Sequence, residues 1–183
     1  MNRKCYLAMN STSKIYIFIT FYKFYATALL LEVVCLKELK NLLRKVVRKA
    51  IHVGTILTIA AAGSEGSGDS VITHEDGMLK RGASGDALRP VFSILTPRLT
   101  TTLSNCQTAC GATDIMAHVF ERYFTNTKDV EITDRLCEGV LLTMIKEVPR
   151  VLENPNDYNA RANIMWAGMV AHNDICGVGR VQD

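Results

Sequence analysis

The sequence predicts a chain of two textures: an α/β segment of short buried strands, followed by a block that is helical to its end. Three observations carry this. Between residues 53 and 97, short apolar runs alternate with turns marked by glycine and proline. After Pro97 the apolar residues recur at helical spacing. The charge also breaks near residue 50: residues 1–50 hold ten Lys/Arg against Glu32 and Glu38, whereas residues 51–183 hold eleven against sixteen Asp/Glu. A basic block ahead of an acidic body indicates segments under different constraints. The acidic body argues against nucleic-acid binding, which needs a basic face. With 183 residues, 48% of them apolar, the chain can build a packed core for one domain or two small ones.

The first element is "IYIFITFYKFYATALLLEVVCL" (15–36), almost continuously apolar. Its length suits a membrane span of about 20 residues. Lys23 lies in its middle and Glu32 near its end, and each is costly in lipid. Arg3, Lys4 and Lys14 precede the run as in a signal peptide, but no small-residue cleavage site follows. The competing reading is a strand–helix segment packed on a sheet. Next, "LKELKNLLRKVVRKA" (36–50) places Leu36, Leu39, Leu42, Leu43, Val46, Val47 and Ala50 on one helical stripe, with lysines and arginines on the other sides. Such a helix lies on an anionic membrane or, more commonly, on a protein core.

From residue 53 the texture changes. "TILTIA" reads as a buried strand and "SVIT" as a second, with a small-residue loop between them. Gly63, Gly66 and Gly68 permit tight turns and close backbone approach to a ligand, yet neither G-x-G-x-x-G nor a P-loop is present. "HEDG" (74–77) is a turn, and "RPVFSILTP" (89–97) is a third strand closed by Pro97. "TTTLSN" then supplies N-cap hydroxyls for a helix over 107–124. A second helix covers 131–148 and stops near Pro149, with Ile132, Leu136, Val140, Met144 and Val148 as its apolar stripe. After the turn "NPNDY", a third helix covers 159–173, rich in small residues that allow close packing, and "GVGR" ends it.

Candidate chemistry concentrates in "QTACGATDIMAHVFERYF" (107–124). Asp114 and His118 are four apart, so they share one helix face, and Glu121 and Arg122 follow one turn later. A carboxylate with an imidazole suits Zn²⁺ or Fe²⁺. Spacing alone leaves open a metal pair or a polar pair on an ordinary helix. Of the other histidines (His52, His74 and His172), none has a spacing that brings it to this pair. The six cysteines form no CxxC. Cys106 and Cys110 are four apart without a second pair of zinc-site spacing, and they read as small buried thiols in a reducing compartment.

From residue 53 onward, "LTIAAAGSE", "VIT", "RPVFSILTPRLTTTL", "QTACGATDIMAHVFERYFT", "ITDRLCEGVLLTMI" and "YNARANIMWAGMVAHN" occur in an order and spacing that resemble the iron-containing (group III) alcohol dehydrogenases. The resemblance is strongest to the NADPH-dependent butanol dehydrogenase/aldehyde reductase branch. It implies the dehydroquinate synthase-like fold: a Rossmann-like nucleotide domain, then an all-α metal-binding domain, with Fe²⁺ or Zn²⁺ between them. It divides this chain into a non-matching apolar and basic segment (1–52), the end of the nucleotide domain (53–100) and the first part of the helical domain (101–183). It implies that Asp114 and His118 are two of four metal ligands, and that Thr58 and Lys80 lie at the cofactor, NADP(H) or NAD(H). It also implies a small alcohol or aldehyde as substrate, a cytoplasmic enzyme and no nucleic-acid partner, and it allows a homodimer. Cys106 and Cys110 fall where the family has small packing residues.

The resemblance has gaps. Residues 1–50 lack the family's "GGGS" pyrophosphate loop, and "TIAAAGSE" stands for the usual "TLPATGSE", with Ala60 and Ala62 replacing a proline and a threonine. The chain ends at "GVGRVQD", ahead of the family's two remaining histidine ligands. The expectation is therefore a fold incomplete at both ends, an isolated chain without activity, and apolar helix faces prone to associate. The alternative is a non-enzymatic gene remnant, or a helical interaction module tethered to a membrane through residues 15–36.

Overall fold

The computed structural model describes residues 16–19, 52–74 and 79–180. Among these the strands form one compact unit. The helices form a second, which also takes in Leu57–Ser67.

In the strand unit, β1 (Tyr16–Ile19), β2 (Val53–Ile56) and β5 (Phe92–Ile94) make a parallel sheet in the order β1-β2-β5. Tyr16 pairs with Val53, and Gly54 with Phe92. Val53, Gly54 and Thr55 are all buried, as suits a central parallel strand. A Cβ on Gly54 would meet the Phe92 ring at 2.4 Å, so glycine is what lets that ring lie across β2. β3 (Asp69–His74) and β4 (Leu79–Ser84) form an antiparallel pair in which Thr73 faces Lys80.

Several expectations change here. The strand read in "TILTIA" ends at Ile56, because the following backbone leaves the ladder to pack against helices. The third strand shrinks to three residues between 3-10 turns at Asp86–Leu88 and Pro97–Thr100. β4, "LKRGAS", carries no apolar alternation to mark it in the sequence, and only backbone pairing with β3 makes it a strand. Of the turn read at "HEDG", His74 instead ends β3, and the rest lies outside the described residues. The start of the apolar run 15–36 is strand β1, whereas the remainder, Cys5, Cys35 and the basic helix of 36–50 also lie outside them. Among the described residues, no helix is long and apolar enough to cross a membrane.

The helical unit contains α1 (Asn105–Tyr123), α2 (Glu131–Glu153) and α3 (Tyr158–Ala171). Ser104 starts α1 with a capping box: its Oγ accepts from the Gln107 N–H, and its own N–H donates to Gln107 Oε1, each at 3.2 Å. Asp157 caps α3 by accepting from the Ala160 N–H at 3.0 Å. The shared core joins Ile115 and Val119 of α1, Cys137, Val140, Met144 and Val151 of α2, and Ala160, Ile164, Ala167 and Ala171 of α3.

α2 departs from its expected form twice. Its buried stripe is Thr133, Cys137, Val140, Met144, Glu147 and Val151, while Ile132 and Leu136 are exposed. Two stripes about a residue apart share Val140 and Met144, and packing against α1 and α3 selects between them. The helix also runs through Pro149 to Glu153. Pro149 sits on the exposed side, where the carbonyl deprived of its donor can face water. The next turn is held by buried Val151 and by Glu147, whose Oε2 takes Arg150 at 2.6 Å; Arg150 in turn reaches Asp157 at 2.9 Å.

The cysteines separate into two kinds. Cys106 and Cys110 are exposed, correcting their reading as buried thiols, because they occupy the face of α1 turned from the core. Cys137 and Cys176 are buried, and the Cys137 thiol donates to the Cys176 carbonyl at 3.6 Å. Burial first, then Cys176 beside it, pushes the Cys137 thiol up to about 12. Since the thiolate is the reactive form, at pH 8 Cys137 should alkylate roughly 1,000-fold more slowly than an ordinary thiol. Iodoacetamide labelling read by peptide mass should mark Cys106 and Cys110 in the folded chain and reach Cys137 only after unfolding. Equal rates would contradict this core.

Candidate metal centre

Asp114 and His118 stand one turn apart on α1, at the edge of its buried stripe Gly111, Ala112, Ile115 and Val119. His118 Nε2 lies 3.8 Å from Asp114 Oδ2. Two donors on one tetrahedral ion with bonds of about 2.0–2.2 Å stand roughly 3.4 Å apart, so a small rotamer change suffices to share a cation. The Asp114 side chain is 47% exposed and that of His118 21%, which leaves the pair reachable from solvent.

The other imidazole nitrogen faces Glu121, with Nδ1 3.6 Å from Oε2, beyond hydrogen-bond length. Nδ1 is buried and has no hydrogen-bond partner. The His172 ring lies against His118, with centroids 4.2 Å apart and planes tilted by 42°. Buried Arg122 ties the two together: one terminal nitrogen donates to the His118 carbonyl at 2.8 Å, and the other contacts His172 Nδ1 at 3.1 Å. Burial, and then His172, lowers the His118 pKa, while Asp114 and Glu121 pull it partly back. The balance favours neutral imidazole, the form that ligates metals.

Sequence spacing missed His172, which lies 54 positions after His118 and reaches it only because α1 and α3 pack together. Glu121 was visible as a residue three positions on. Its proximity to Nδ1 depends on the His118 rotamer.

Close packing of the 57–67 segment places α1. Gly63 has φ +56°, and a Cβ there would lie 2.6 Å from His172 Cβ. A Cβ on Gly111 would lie 2.3 Å from the Ala60 carbonyl oxygen. The small residues of "AAAGSEG" thus allow close approach to α1 and α3. Thr58 is half-buried in this same segment. Lys80 lies on β4, opposite Thr73, in the strand unit.

The donor set fits a divalent cation in part: Asp114 and His118 supply an oxygen and a nitrogen. Among the described residues, no group of three or more His, Cys, Asp or Glu could hold a metal ion.

Comparison with known proteins places this helical unit. Residues 108–180 match the family model described as the C-terminal part of the Fe-containing alcohol dehydrogenase family. The chain is 44% identical over 134 residues to NADH-dependent butanol dehydrogenase B of Clostridium acetobutylicum, covering 73% of this chain and 34% of that protein. It is 40% identical over 139 residues to the NADPH-dependent aldehyde reductase YqhD of Escherichia coli, covering 76% and 36%. Among solved structures, NADH-dependent butanol dehydrogenase A of Thermotoga maritima superposes with a TM-score of 0.71 at 39% identity, over 75% of this chain and 34% of that one. The chain thus spans about a third of the length of the curated relatives it matches. Its fold over the matched residues is that of the corresponding part of these enzymes, and residues 108–180 match the C-terminal part of the iron-containing alcohol dehydrogenase family.

Proposed function

We propose that this chain carries part of a metal-dependent alcohol dehydrogenase or aldehyde reductase site, acting on a small alcohol or aldehyde with NAD(P)H. The observation that supports it best is the Asp114–His118 pair, 3.8 Å apart on the helix that the family model covers. Asp114 would supply an anionic oxygen that offsets cation charge, and His118 a neutral nitrogen. Fe²⁺ accords with the family, and Zn²⁺ with the donor types. A bound divalent ion supplies Lewis acidity at the substrate oxygen, and the nicotinamide supplies hydride. By the family resemblance, Thr58 and Lys80 would each serve the cofactor.

The metal assignment is tested with Co²⁺ as a paramagnetic probe on the ¹⁵N-labelled 183-residue chain. Co²⁺ should broaden amide signals around Asp114 and His118, and Asp114→Asn and His118→Asn should each weaken binding about tenfold or more. Broadening centred elsewhere would sink the assignment. Two protein ligands hold a divalent ion weakly, so the chain by itself should not sustain NADPH-dependent reduction of butanal with added Fe²⁺ or Zn²⁺. Steady NADPH oxidation under those conditions would show that it builds a complete site.

A further inference from the structure

We infer that Glu121 is the positioning residue of His118: its carboxylate accepts the Nδ1 proton and so keeps the Nε2 lone pair turned toward Asp114 and a shared cation. This rests on the reading of Asp114 and His118 as ligands.

The geometry around the ring supports the assignment. His118 stands between two carboxylates of its own helix, Asp114 one turn before and Glu121 one turn after. Nε2 faces the first at 3.8 Å and Nδ1 the second at 3.6 Å. A neutral imidazole has one proton to place. On Nε2, it would face Asp114, block the cation and leave the Nδ1 lone pair against the Glu121 carboxylate. On Nδ1, it gains the nearer Glu121 acceptor and leaves the Nε2 lone pair facing Asp114, where a shared cation would remove the repulsion between them. Nδ1 is buried and unpartnered, and the Glu121 side chain is 74% exposed. Closing the contact from 3.6 Å to hydrogen-bond length needs less than about 1 Å of movement.

The other neighbours cannot take that role. Arg122 can only donate, so its contact makes His172 Nδ1 the acceptor and leaves the His172 proton on Nε2. His172, pinned this way, forms a wall 4.2 Å across the His118 ring and restricts its rotation. Of the charged and titratable groups facing His118 from α1 and from the end of α3, Glu121 is the acceptor near Nδ1. A carboxylate behind a ligating histidine is a general device for fixing its tautomer and strengthening it as a donor.

The test uses the 183-residue chain and two readouts. Long-range ¹H–¹⁵N spectra of histidine-labelled protein at neutral pH should show His118 protonated on Nδ1, shifting toward Nε2 in Glu121→Ala. Co²⁺ affinity should fall about tenfold or more in Glu121→Ala and recover in part in Glu121→Gln, which keeps an acceptor oxygen. The thermal midpoint without metal should be unchanged, because the Glu121 side chain is exposed; a merely structural role would move it instead. Wild-type His118 protonated on Nε2, or equal Co²⁺ affinity in Glu121→Ala, overturns the inference. If Asp114→Asn leaves Co²⁺ affinity unchanged, it is the ligand reading that fails, and the role of Glu121 with it, whatever tautomer the spectra report.

Discussion

Ile115→Ala should lower the unfolding free energy of the helical unit by about 2–5 kcal/mol. Ile115 is fully buried. It fills the crossing of α1 and α3, where a Cβ on Gly168 would already lie 3.0 Å from its Cδ1. Deleting the side chain removes its transfer free energy and leaves a cavity whose α3 wall, Gly168, has no side chain to collapse inward. Ile115→Val should lose about 0.5–1.5 kcal/mol. Urea titration followed by circular dichroism measures both. A loss below about 1 kcal/mol for alanine would mean that α1 and α3 do not pack as described. The same residue precedes His118 by one turn, so the alanine variant should also loosen the contact between His118 and His172.

Gly111→Ala separates local from tertiary physics by its sign. By helix propensity alone, alanine is better than glycine by about 1 kcal/mol. In the structure the new Cβ would lie 2.3 Å from the Ala60 carbonyl oxygen. That atom is backbone and cannot rotate away, so α1 and the 57–67 segment must separate. The expected outcome is a net loss of about 1–3 kcal/mol despite the propensity gain. Gly139 of α2 is the control. Nothing lies within 4 Å of a Cβ built there, so Gly139→Ala should stabilise by up to about 1 kcal/mol. Stabilisation of both variants, compared by denaturant midpoints, would refute the close approach of Ala60 to α1.

The elements most legible in the sequence are those whose signals lie within a few residues. Ser104 with Gln107 and Asp157 with Ala160 mark helix starts, and both caps form. The helices themselves follow from apolar period. The strands were legible less well. β4 has no apolar alternation and exists through its ladder with β3, and Leu57 onward leaves the sheet because packing on α1 and α3 outweighs a strand-like composition. Pro149 reads as a stop signal, yet α2 continues, because the proline faces solvent while Val151 and the Glu147–Arg150–Asp157 pairs hold the next turn.

The sequence by itself determined that Asp114, His118 and Glu121 share one helix face, since the 3.6-residue period leaves little choice within two turns. It also carried the stretches by which the family is identified. Tertiary structure alone decided which stripe of α2 is buried, that Cys106 and Cys110 face outward, and that His172, pinned by Arg122, stands against His118. The physical reason is range. Spacing along one helix is set by backbone geometry, whereas a contact across 54 residues is set by how side chains from separate helices fill a common core.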